Sequence, residues 1–260
     1  MPKIDAFTFR KKLRSAGLKV VEFASGEFVG PRPVMRRLNQ TGLSVISGGV
    51  TSANLKSYGF EVDTVLDVGV DAGTPFLYDT FPDKKFVLFD PIEETATRVA
   101  PWRDKIDYDL HIVALDSEEG EAELVIPTTD RKRRSLATVA GFSDDYENRI
   151  VDMEKRVVEK RRLDSYTADI PGRFGLKIDT EGNELAVIRG GSETLKRTEF
   201  VLAEVSVKRR FKDGYRFSEF VAEMGKHGFE LIEALRPVDH ASPDCDLLFV
   251  PWDSSWFDLD

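Results

Sequence analysis

Two short stretches hold most of the residues in this chain that could do chemistry. One is Asp67-Val68-Gly69-Val70-Asp71-Ala72-Gly73, and the other is Lys177-Ile178-Asp179-Thr180-Glu181-Gly182. In the first, glycines let a backbone approach a ligand closely and turn sharply afterwards. In the second, a lysine and two carboxylates crowd together. Charges held there need partners or a task. A carboxylate beside a bound hydroxyl could take its proton, which makes Asp179 and Glu181 candidates for base or substrate contact. Glu204 is a third candidate, and Lys177 is a cation able to pair with them. The same acids also suit the start of the helix that follows, where carboxylates are favoured.

The elements around both stretches would bring them to one place. Val62 to Val68 reads as a strand, and Thr74 to Thr80 as a short helix. Lys85 to Phe89 is a second strand, Glu93 to Trp102 a helix, Asp109 to Leu115 a third strand and Glu121 to Ile126 a fourth. Residues 127–150 have no clear period and read as loop with some helix. Lys155 to Arg161 alternates weakly. Phe174 to Ile178 is a strand, Asn183 to Lys196 a helix, Phe200 to Val205 a strand and Phe217 to His227 a helix. Phe229 to Ala234 and Asp246 to Val250 have no room for a helix between them, so they predict an antiparallel hairpin. Strand–helix alternation predicts an α/β fold, with a mostly parallel sheet covered by helices on both faces. Ligands in such sheets bind outside the carboxyl ends of the strands. Residues 1–60 differ from the rest. They read as an N-terminal α+β lobe or cap, with helices over Asp5–Ala16 and Thr51–Tyr58 and a strand at Lys19–Phe23, while residues 61–260 form the main domain.

The first stretch has the spacing Asp-x-Gly-x-x-x-Gly and lacks the third glycine of a dinucleotide fingerprint. Asp67 and Asp71 would repel a pyrophosphate but suit a ligand with cationic groups. S-adenosylmethionine (SAM) carries an ammonium and a sulfonium. Asp90 ends the next strand about 20 residues on, where a carboxylate can accept ribose hydroxyls. Asp67, Gly69, Asp71, Gly73 and Asp90 are therefore the candidate cofactor-binding residues. The alternatives are a nicotinamide-dependent oxidoreductase on a related sheet and a non-catalytic SAM-binding module.

Taken with its surroundings, the second stretch resembles the FkbM family of SAM-dependent methyltransferases. The resemblance spans roughly residues 63–250. It rests on Leu66-Asp67-Val68-Gly69, Phe89-Asp90-Pro91, Val113-Ala114-Leu115-Asp116, Arg162 to Tyr166, the Lys177–Gly182 block, Glu184-Leu185, Gly190-Gly191 and Leu202-Ala203-Glu204. It implies a SAM-methyltransferase fold with SAM as cofactor, and O-methylation of a small-molecule or sugar hydroxyl. It also implies cofactor contact at Ala114, Leu115 and Asp116. Two positions depart from the family. Val70-Asp71 stands where Ala-Asn is usual, and Asp90 where Glu is usual.

Bulk properties narrow the partners. The chain has 260 residues, 41% hydrophobic and 32% charged, with a net charge of −9. Such a surface repels nucleic acid. No apolar run reaches the roughly 18 residues of a membrane span, and the N-terminus lacks a signal-peptide core. One cysteine, Cys245, fits a cytoplasmic setting. No metal is expected, since Asp179 and Glu181 have no evident third ligand. The basic runs Arg131–Arg134, Lys160–Arg162 and Lys208–Arg210 read as solvated faces. His111, His227 and His240 read as structural or exposed, with His240 in the final hairpin's loop and within reach of a site. Oligomeric state is not encoded in any readable pattern.

Overall fold

Thr64 to Val68 is buried along its whole length, as a strand covered on both faces must be. A computed structural model describes residues 50–128, 136–147, 150, 152–236 and 243–258. Within them the chain runs α1 (Ser52–Ser57), β1 (Thr64–Val68), α2 (Pro75–Thr80), β2 (Lys85–Asp90), α3 (Thr95–Val99), β3 (Asp107–Ile112), β4 (Ala114–Leu115) and β5 (Gly120–Thr128). It continues through α4 (Asp144–Glu147), β6 (Asp152–Arg161), α5 (Asp164–Thr167), β7 (Phe174–Ile178), α6 (Glu184–Gly190), α7 (Ser192–Leu195), β8 (Thr198–Ser206), α8 (Phe217–Lys226), β9 (Phe229–Arg236) and β10 (Asp244–Pro251).

Seven strands form one sheet in the order β3-β2-β1-β7-β8-β10-β9. All neighbours are parallel except β10, which runs antiparallel to both β8 and β9. The expected parallel sheet with a closing antiparallel pair is therefore present. Alternate residues of each strand feed two cores. Leu66, Val68, Val87, Phe89, Leu176, Ile178 and Ala203 face one. Val65, Phe86, Leu88, Phe200, Leu202 and Leu248 face the other, where Leu55 of α1 also packs. Residues 50–60 thus pack on the sheet. The helix and strand expected at Asp5–Ala16 and Lys19–Phe23 lie outside the described residues, as do Arg131–Arg134 and His240.

The region between β3 and β7 departs from simple alternation. The single strand read at Asp109–Leu115 breaks at Val113, whose N–H donates to the Asp90 carbonyl. Ala114-Leu115 then joins a second sheet, β4-β6-β5. The strand expected at Glu121–Ile126 lies in this arm and not in the main sheet. It pairs antiparallel with the weakly alternating Lys155–Arg161 segment, from Gly120↔Lys160 out to Thr128↔Asp152. The arm has its own small core of Ile92, Leu124 and Ile126, with Ala137, Val139 and Val158 against it. The helix read at Asn183–Lys196 is two helices, broken at Gly191.

Candidate functional site

The strand order reverses between β1 and β7, with β2 and β3 laid down to one side and β8 onward to the other, and that switch point is where open α/β sheets bind ligands. A cavity of about 610 Å³ opens there. Parallel register explains why the two chemically rich stretches meet in it. Asp67 pairs with Lys177 and Val68 with Ile178 across β1 and β7, so the loops after each strand leave the sheet side by side.

Gly69 has φ +77°, and a Cβ there would lie 1.7 Å from the Asp179 carbonyl oxygen. The two loops cross so closely that only glycine fits. Their backbones are also bonded, with the Asp179 N–H donating to the Val68 carbonyl at 2.9 Å. Gly73, φ +105°, is walled by the Trp102 indole, whose N–H donates to the Ala72 carbonyl at 2.9 Å.

Asp71 has φ +49°. Among non-glycine residues, aspartate and asparagine tolerate that left-handed conformation best. This explains how Asp71 stands where asparagine is usual in the resembled family. Its side chain is turned to an ion pair with Arg98, and its N–H donates to Asp90 Oδ2 at 2.9 Å. Asp90 is 5% exposed and lines the cavity. Its Oδ1 accepts from the Ile92 N–H at 2.9 Å, and burial raises its pKa against these bonds.

Of the expected cofactor residues, Gly69, Asp71, Gly73, Asp90, Ala114 and Leu115 line the cavity. Asp67 and Asp116 are not among the lining residues. Asp67 is fully buried behind the loop, accepts from the Tyr78 hydroxyl at 3.1 Å and lies 3.5 Å from Lys177. Asp116 sits beside Lys160 at 3.4 Å and Asn183 at 3.4 Å. Asn183 itself lines the cavity and donates to the Leu115 carbonyl at 2.8 Å, tying β4 to the acidic loop.

All four expected catalytic residues line the same cavity. One oxygen from each of Asp179, Glu181 and Glu204 lies within 4.8 Å of the other two. Glu204 thus joins the other two acids in a cluster that the sequence pattern does not reveal, and each of the three carboxylates is held by a cation of the protein. Lys177 is 8% exposed, donates to the Gly69 carbonyl at 3.0 Å and lies 3.4 Å from Asp179. Burial works to lower its pKa, but the charges of Asp179, Asp67 and Glu204 outweigh that and hold it above its ordinary value. The carboxylates of Asp179 and Glu181 turn to Lys177 and Arg210, and the N-cap of α6 is Asn183, without a side-chain cap bond. Helix capping is therefore not what these acids do.

Two arginines complete the site. Arg210 pairs with Glu181 and, at 2.8 Å, with Asp244. Arg236 reaches Glu204 at 2.7 Å, Asp244 at 2.6 Å and Asp246 at 3.0 Å. Arg210 is only 5% exposed, although its basic run reads as a solvated face. Burial is the main reason the Glu181 carboxyl is pushed up to about 8, with Arg210 opposing and Asp179 adding to it. Burial, then the charge of Asp179, pushes Glu204 up to about 9. Opposite these acids, Leu124, Leu136, Ala137 and Val139 give the cavity an apolar wall from the arm. The arm is pinned to the acidic loop by the Thr138 hydroxyl, which donates to the Glu181 carbonyl at 2.6 Å. Of the remaining histidines, His111 packs against Phe89 and Tyr166, and His227 caps the end of α8.

A mostly parallel seven-stranded sheet closed by an antiparallel pair, with a glycine loop and an acidic loop at its switch point, is the SAM-methyltransferase fold. The chain belongs to the FkbM methyltransferase family, whose domain model matches residues 67–231. No curated protein matches it. Solved structures to which it is similar include a TehB-like SAM-dependent methyltransferase from Corynebacterium glutamicum, with 13% identity, covering 83% of this chain and 93% of that one, at a TM-score of 0.41. The N-methyltransferase NodS from Bradyrhizobium japonicum has 10% identity, covering 86% and 99%, at 0.43. Magnesium protoporphyrin IX methyltransferase from Synechocystis, with bound SAM, has 10% identity, covering 96% and 99%, at 0.41.

Proposed function

We propose that this chain is a SAM-dependent O-methyltransferase acting on a hydroxyl of a small molecule or sugar. The convergence of Asp179, Glu181 and Glu204 at the mouth of the glycine loop carries the reading. An alcohol must lose its proton to become a useful nucleophile, and a carboxylate held within hydrogen-bond reach of it can take that proton. Asp90 has the acceptor oxygens that ribose hydroxyls need, and the loop crossing at Gly69 gives close backbone approach, so the residues present fit SAM. When bound, SAM supplies a methyl group activated by its sulfonium.

The chain's own groups do the rest. Asp179 has the most exposed carboxylate of the trio, at 34%, against 11% for Glu181 and 21% for Glu204. It is placed to receive the acceptor's proton. Lys177 holds Asp179 from behind. Glu181 and Glu204, each anchored on an arginine, accept hydrogen bonds from the acceptor and orient its oxygen. Orientation of this kind supplies much of the rate in a two-reactant step. The arm's apolar wall keeps water from the reacting oxygen. With a net charge of −9, a small acceptor suits the surface and a nucleic acid does not. The same reading places the enzyme in the cytoplasm, a reducing setting that suits its free, buried Cys245. Among the described residues no helix is long and apolar enough to cross a membrane.

Calorimetry with SAM, followed by transfer of labelled methyl to a panel of sugars and small alcohols, tests the proposal. Asp179→Asn should keep SAM affinity and lose roughly 10²–10⁴ in methylation rate, the usual weight of a general base. No heat of binding at millimolar SAM, or transfer to amines in preference to hydroxyls, would overturn it.

A further inference from the structure

Glu184 is 1% exposed and pairs with no cation in the ion pairs described. A buried carboxylate in that state must be satisfied by hydrogen bonds. Its Oε1 accepts from the Thr180 N–H at 3.0 Å, the Thr180 hydroxyl at 3.1 Å and the Gly182 N–H at 3.0 Å. Its Oε2 accepts from the Tyr215 hydroxyl at 2.6 Å. Every donor on Oε1 comes from the turn that carries Glu181.

That turn is unusual. Glu181 has φ +54° and Gly182 φ +106°, and a glutamate persists in the left-handed region only where its surroundings over-determine it. Behind Gly182 stands the Phe211 ring, 2.5 Å from where a Cβ would be. The turn is therefore clamped between Glu184 and Phe211. Residues 210–215 grip it twice, Arg210 holding the Glu181 carboxylate and Tyr215 holding Glu184. Neither Glu184 nor Tyr215 lines the cavity.

We propose that Glu184, braced by Tyr215, is the positioning residue of the acidic loop: it holds Glu181 in its left-handed conformation and so keeps that carboxylate on Arg210, facing the acceptor. This rests on the reading of Glu181 as a contact of the acceptor, but its test does not depend on methyl transfer.

The test follows the Glu181 carboxyl by carbon-13 resonance in protein labelled with glutamate, assigned by the signal lost in Glu181→Gln. In the parent its titration should centre near about 8. Glu184→Gln and Glu184→Ala both remove the charge, but only glutamine keeps an oxygen for the three donors. Glu184→Gln should lower the midpoint only by the loss of the Glu184 charge that helps to raise it. Glu184→Ala should drop it toward the ordinary 4.5, and Tyr215→Phe should move it the same way by a smaller step. Calorimetric SAM affinity should be unchanged in all three. A midpoint in folded Glu184→Ala no lower than that in Glu184→Gln, or an unchanged midpoint in folded Tyr215→Phe, would overturn the proposal. If Glu184→Ala fails to fold, Tyr215→Phe decides alone. A parent that binds no SAM would instead sink the methyltransferase reading and leave the positioning result standing.

Discussion

Glu181 and Glu204 hold their protons far more tightly than free glutamates do, because they are buried beside other acids. This has a consequence for stability as well as catalysis. A carboxyl whose pKa is raised on folding binds its proton better in the folded state, so its contribution is full below the unfolded value and is lost as pH climbs through the folded one. Between about 4.5 and 8 for Glu181, and up to about 9 for Glu204, stability should fall with rising pH. Thermal melts from pH 5 to 9.5 check this. Glu181→Gln and Glu204→Gln should each flatten the decline, and a decline identical to the parental one would show that these groups do not cause it. At this scale some of the site is legible in sequence and some is not. Asp90, Asp179 and Glu181 announce themselves because each follows directly on an apolar strand. Arg210 does not, because Lys208-Arg209-Arg210 looks like any solvated basic run until folding buries its last member under Asp244 and Glu181.

The glycine loop and the acidic loop are each readable as an element, but their crossing is a property of the pair. Gly69→Ala should bring its new Cβ into the Asp179 carbonyl. The expected cost is roughly 2–4 kcal/mol, in the range of strain at a forced backbone position. SAM binding should be lost with it. Unfolding by urea and calorimetry read the two effects, and a variant with parental values would mean the loops can separate freely. Strand periodicity finds the main sheet because its central strands, β1, β2 and β7, are buried on both faces. It misplaces Glu121–Ile126, since the partner of β5 is β6, about 30 residues on, whose exposed charges hide its period. Arg236, Asp244 and Asp246 escape for a related reason. They meet Glu204 through antiparallel register across β8, β10 and β9, a relation no linear motif contains.

Over the whole molecule, the arm and the sheet divide the work. The sheet supplies the cofactor loop and the acids, and the arm supplies the apolar wall. The wall can be cut back without touching the Thr138 bond to the acidic loop by Leu136→Ala together with Val139→Ala. That variant should keep cooperative unfolding and SAM binding while losing methylation of its normal acceptor. Parental turnover in an assay across several acceptors would show that the arm has no part in choosing them.

The charge network bears on how such an enzyme can diverge. Six acids, Asp67, Asp179, Glu181, Glu204, Asp244 and Asp246, share three cations, Lys177, Arg210 and Arg236. Loss of Arg236 alone takes the pairing cation from Glu204 and Asp246 and leaves Asp244 on Arg210, and removing one partner of a buried pair is strongly destabilising. Substitutions in the acidic floor should therefore be tolerated only in compensating sets, whereas single changes in the arm's apolar wall leave every ion pair in place, so a new acceptor is more readily reached by altering the wall than the floor.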